Sequence, residues 1–165
     1  MTSFPSAPAI GPAADLRADL TGAFGLPAWG PGVALAPSFR ISFGQPDPFH
    51  PLRGQWCLRV YSAWRIETPG TVLGAAGYDH ESIERAVTAL VGRSLVGADV
   101  ELPSLSAAFY FSDDVRLVTF SYSHDHRHWI LFRPDRTVRL AGPDGFWALA
   151  PRTAPDDGGE TTRAA

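Results

Sequence analysis

The sequence predicts an α+β fold: a curved antiparallel β-sheet of about six to eight strands, with one main α-helix over about residues 80–91 packed on one face. Three observations lead there. One stretch alone carries a sustained helical spacing of apolar residues. Most of the remaining body alternates apolar and polar residues with a period of two. The connections between these alternating stretches are too short for a parallel crossover, which needs about a dozen residues.

The elements follow in chain order. Residues 14–20 suit the start of a helical turn. The Gly- and Pro-rich stretch 22–33 allows only a short or edge strand, since proline cannot donate to a ladder. In residues 38–44, Phe39, Ile41 and Phe43 share one face and Arg40 and Ser42 the other, which is a half-buried strand. Residues 45–54 hold Pro46, Pro48 and Pro51 and read as a loop. Residues 55–66 read as one long strand: Trp56, Leu58, Val60, Trp64 and Ile66 lie on one face, and Cys57, Arg59 and Tyr61 on the other. Pro69-Gly70 then turns the chain.

The helix has the strongest local signals. Asp79 suits the N-cap, and Glu81 and Glu84 sit near the positive end of the dipole. Ile83, Ala86, Val87, Leu90 and Val91 form one apolar stripe, and Gly92 falls where a left-handed C-terminal cap needs glycine. Strand patterns follow at 94–102, 105–111, 115–122, 128–132, 137–140 and 146–149. The turn-forming residues Asp113-Asp114, Pro134-Asp135 and 142–145 separate the later ones. A single domain is expected over 15–150, between disordered tails at 1–14, rich in Pro and Ala, and at 151–165.

Composition narrows the function. With 45% hydrophobic and 12% aromatic residues, the chain has enough apolar surface for a core. Its net charge of −3 argues against a general nucleic-acid binder, which shows a basic face. All 14 basic residues are Arg, and this excess is the codon fingerprint of a GC-rich genome rather than a sign of phosphate recognition. No run approaches the ~20 apolar residues of a membrane span, and the proline-broken start is not a signal peptide. A cytoplasmic protein is expected, with no membrane and no nucleic acid among its partners. Cys57 stands alone, so neither an intrachain disulfide nor a cysteine-based zinc site can form. Oligomeric state is left open.

Few residues point to chemistry. His124, His126 and His128 would share one side of an extended segment and could hold zinc with a fourth position open, the arrangement of a metal-dependent hydrolase. The competing reading is the polar tip of a hairpin. Neither the His-x-His-x-Asp-His run of metallo-β-lactamase-like hydrolases nor the cupin His-x-His pair with its following Glu is present: Arg127, not Asp, precedes His128, and Trp129, Ile130, Leu131 and Phe132 follow the histidines. Apart from that zinc, no cofactor is implied. Asp113-Asp114 reads as a turn, Cys57 as a small core residue, His80 as a surface residue, and the stretch 74–77 as a tight turn into the helix rather than an anion loop. Trp64, Arg65, Tyr122, Arg127, Trp129 and Arg133 mix aromatic rings with guanidinium groups, the composition enriched at binding hot spots.

Trp64-Arg65-Ile66, Gly77-Tyr78-Asp79, Leu90-Val91-Gly92 and His128-Trp129-x-Leu131 followed by Gly142-Pro143-x-Gly145 resemble small uncharacterised actinobacterial families of unknown function. In general pattern they are also similar to some immunity proteins of bacterial toxin systems. The resemblance spans about residues 20–149, contains no catalytic motif and carries over no site residue. It implies a non-enzymatic protein-binding module. The alternatives are the metal-dependent enzyme built on the three histidines and a small-molecule-binding domain.

Overall fold

The structure, a computed structural model, describes residues 18–33, 35–61, 63–121, 127–135, 137–141 and 147–151. The terminal stretches expected to be disordered lie largely outside these residues. Among them are eleven strands: β1 (Ala28–Gly32), β2 (Phe39–Asp47), β3 (His50–Val60), β4 (Trp64–Thr68), β5 (Thr71–Ala75), β6 (Leu95–Val100), β7 (Ala107–Phe111), β8 (Val115–Thr119), β9 (Trp129–Phe132), β10 (Thr137–Ala141) and β11 (Trp147–Pro151). An α-helix of nine residues, α1 (His80–Thr88), joins β5 to β6, and residues 18–20 are helical as well.

The strands are antiparallel throughout, but they form two sheets rather than the single curved sheet expected. One sheet has the order β1-β2-β3-β9-β10-β11, and the other β5-β4-β8-β7-β6. Their inner faces pack together through aromatic pairs. Phe39 of β2 meets Trp64 of β4 edge-on with ring centroids 4.8 Å apart, Phe43 stacks on Phe111 at 6.1 Å, and Trp129 of β9 meets Phe109 edge-on at 5.8 Å. Strand β2 thus runs obliquely over the other sheet, from above β4 at one end to above β7 at the other. The core between them gathers Ile41, Leu58, Val60, Ile66, Leu95 and Leu117 as well.

The stretch 55–66 is where the one-sheet expectation fails. Trp56, Leu58, Val60, Trp64 and Ile66 do all face the core, but they do so from opposite sheets. The chain leaves the six-stranded sheet after Val60 and enters the five-stranded one at Trp64. A second corner joins the sheets where Pro27 bridges Ser94 and the Leu95 N–H donates to the Leu26 carbonyl at 3.2 Å.

Helix α1 packs against β5 and β1 and closes one side of the sandwich, which corrects its expected seat on the face of one sheet. Asp79 caps it, accepting from the Ser82 N–H at 3.0 Å and from the Ser82 hydroxyl at 2.7 Å. Those bonds hold the Asp79 carboxyl below its ordinary range. Ile83, Ala86, Val87 and Leu90 enter the core, while Val91 stays exposed. A Cβ on Gly74 of β5 would lie 2.4 Å from the Ala86 Cβ, so the helix comes this close only because that position has no side chain. Gly92 adopts the left-handed conformation at φ 83°, but the helix is shorter than the expected 80–91, ending at Thr88 with Ala89 at its cap, so Gly92 is not the cap. Asp113 and Asp114, at φ 62° and 57°, make the β7–β8 turn.

Candidate functional site

Residues 45–54 are the second correction, since most of what read as a loop belongs to strands. β1 pairs with β2 only as far as Phe43, and β9 pairs with β3 only from Cys57 onward. Between these limits β2 and β3 continue as a two-stranded ribbon, with Pro46 opposite Gly54 and Asp47 opposite His50. The three prolines deny this arm several ladder bonds, and the register slips on either side of Pro46.

The arm curls back over the outer face of its own sheet. The Gly54 N–H donates to the Ser42 hydroxyl at 2.9 Å. The Leu52 carbonyl oxygen comes within 3.6 Å of where a Gly30 Cβ would stand. At its root, the Trp29 indole N–H donates to the Gly44 carbonyl at 2.8 Å. At its tip, the Phe49 N–H donates to Asp47 Oδ1 at 2.9 Å, an Asx turn that sets the tip backbone. These contacts hold an apolar surface outward: Phe49 is 64% exposed and Leu52 80%, beside exposed Pro46, Pro48 and Pro51. Large exposed apolar side chains of this kind are candidates for an interaction surface.

Beneath the arm lies a polar layer. Arg40 and Ser42 of β2, Cys57, Arg59 and Tyr61 at β3, and Ile130 and Phe132 of β9 share the outer face of the six-stranded sheet. Cys57, Ile130 and Phe132 form a small buried cluster with Tyr61 packed against it, separate from the main core. The Arg53 guanidinium carbon sits 4.7 Å from the Phe132 ring centroid, and Arg53 is only 4% exposed. An Arg59 N–H donates to the Tyr61 hydroxyl at 3.3 Å. Burial pushes the Cys57 thiol above its ordinary value, outweighing the downward pull of Arg53, Arg59 and Arg40, so the thiol stays neutral.

Of the residues singled out in the sequence, Trp64, Arg65, Trp129 and Arg133 lie in separate places. Trp64 and Trp129 are core residues, and their indole N–H groups donate to the carbonyls of Pro37 (2.7 Å) and Leu105 (3.2 Å). Arg65 lies on the outer face of the five-stranded sheet, over the Phe120 ring and paired with Glu67. Arg133 sits at the β9–β10 turn near Asp19 and Asp135, at 3.5 and 3.6 Å. Arg127 is half-buried. Tyr122, His124 and His126 lie outside the described residues. His128 is buried, with Nε2 3.1 Å from the Ser121 hydroxyl. Among the described residues no group of three metal-ligating side chains comes together. Phe49 and Leu52 were missed because apolar residues in a proline-rich stretch carry no alternation. Their one legible sign is two large apolar side chains inside what otherwise reads as a polar turn.

The outer face of the five-stranded sheet is built differently. Buried Glu67 is held by Arg65 and by Arg116, whose Nε lies 2.5 Å from Oε1. Tyr110 donates to Asp99 Oδ2 at 3.0 Å, and that bond pushes its phenol up. A shallow groove of about 340 Å³ lies beside them, between Thr68 and Pro69 on one side and Val96 and Asp114 on the other. No helix among the described residues is long and apolar enough to cross a membrane. No family model, curated protein or solved structure matches the chain.

Proposed function

We propose that this chain is a non-enzymatic, cytoplasmic protein-binding module of the immunity-like kind, and that the arm at residues 45–52 meets its partner. One observation carries the reading: Phe49 and Leu52 stand in water on an arm held by the Asp47, Trp29 and Ser42 bonds. A preformed backbone lowers the ordering cost of binding, and two large apolar side chains supply the anchors of a small hot spot.

The test uses the full chain as bait in extracts of its own source cells. It compares the parent, the double variant Phe49→Asp/Leu52→Asp, and Val96→Asp on the opposite face as a control. A protein retained in stoichiometric amount by the parent and by the Val96 variant, and lost from the double variant, is the expected result. Equal retention by all three baits, or by none, overturns the assignment.

A further inference from the structure

We propose that residues 44–54 form a strap that opens and closes over the Cys57 layer while both sheets stay folded. Ser42, Cys57 and Phe132 lie side by side in one cross-strand row. Gly54 is tied to Ser42 at one end of that row, and the Arg53 guanidinium rests on Phe132 at the other. The Arg53 side chain therefore spans the thiol between them, and Cys57 has 0% exposure.

The two ends of the strap are glycines that a side chain would disturb. Gly44 sits at φ 73°, in the left-handed region that other residues adopt only with strain. A Cβ at Gly54 would lie 2.7 Å from the Phe43 carbonyl oxygen. Between them the register slips twice, and Pro46, Pro48 and Pro51 have no N–H to give a ladder. A two-stranded ribbon without flanking strands is marginal on its own. No side chain of residues 45–53 belongs to the main core, so lifting the strap leaves the Phe39–Trp64, Phe43–Phe111 and Trp129–Phe109 contacts in place. Such segments open locally at lower free energy than the whole fold. Opening uncovers a surface of Ser42, Cys57 and Phe132 bordered by Arg40 and Arg59. A molecule that grips Phe49 and Leu52 shifts the strap toward whichever state it binds better, but the opening itself requires no partner.

Cys57 is the only cysteine, so its labelling reads the strap directly. The full chain is treated with a disulfide dye across a series of sub-denaturing urea concentrations, and the labelling rate is compared with global unfolding. The expected result is a slow rate, independent of urea until the unfolding region. Arg53→Gln should raise it about ten-fold or more, beyond what its shift in unfolding midpoint accounts for. Three outcomes overturn the proposal: labelling that follows global unfolding at every urea concentration, acceleration in Arg53→Gln no greater than its midpoint shift explains, or immediate labelling of the parent. Should Arg53→Gln fail to fold, Ser42→Ala, which removes the bond to Gly54, is judged by the same criteria.

Discussion

The two sheets of this sandwich treat their outer faces in opposite ways. The six-stranded sheet rolls its own β2–β3 arm over the face and buries Ser42, Cys57, Phe132, Arg53 and Arg59. The five-stranded sheet leaves its face bare, and only Glu67 between its two arginines is deeply buried there. Phe132 and Phe120 make the contrast plain. Each ring lies under an arginine, at 4.7 Å from Arg53 and 5.1 Å from Arg65, yet one is 5% exposed and the other 37%. The same pair of residue types is a packing element on one face and a surface feature on the other. A sheet's outer face is thus not equivalent to solvent, and alternation alone cannot tell the two cases apart.

The comparison can be broken most directly by removing both rings. Phe132→Ala is expected to cost about 3–4 kcal/mol in urea denaturation, the range for buried aromatic truncations. Phe120→Ala should cost less than about 1 kcal/mol, as surface changes usually do. Similar losses at both positions would show that the arm does not shield its face. Next in size, Glu67→Gln removes the charge that joins Arg65 and Arg116, and a loss of about 1–2 kcal/mol is expected. The smallest effect concerns the helix that both sheets share. The folded-state value of Asp79 lies below its ordinary 3.8, so its stabilisation is present above that value and fades as pH falls through the lower one. Asp79→Ala should therefore lower the thermal midpoint at neutral pH, and the gap to the parent should close in acid.

Much of the local structure was legible. The Asp79 cap, the buried stripe through Leu90 and the Asp113-Asp114 turn each depend on near neighbours and stand as read, whereas the helix ends at Thr88 with Ala89, not Gly92, at its cap. What was not legible depends on distant partners. Nothing between Tyr61 and Ala63 is a proline or glycine, so the corner that sends Val60 and Trp64 into different sheets leaves the period-two pattern intact. Alternation reports which side chains are buried, not which sheet carries them, and one long strand was the natural reading. The arm failed in the opposite direction. Three prolines argue for a loop, and the Ser42 bond and the contact of Arg53 with Phe132, both made across strands, help hold it as a ribbon. The candidate site was hidden for the same reason, because Phe49 and Leu52 lie in a stretch that reads as a loop until the path of the arm is known.

The strand order also has a consequence during synthesis on the ribosome. β3 finds its neighbour in β9, which begins at Trp129, roughly 70 residues after β3 ends at Val60. At about 5–20 residues per second this leaves one edge of the nascent β1-β2-β3 meander open for several seconds. Open edges recruit other chains, and charges and prolines along them discourage it. Arg53, Arg59 and Pro51 lie along that strand. Arg59, which later borders a buried thiol, thus puts a charge on the very edge that waits for β9.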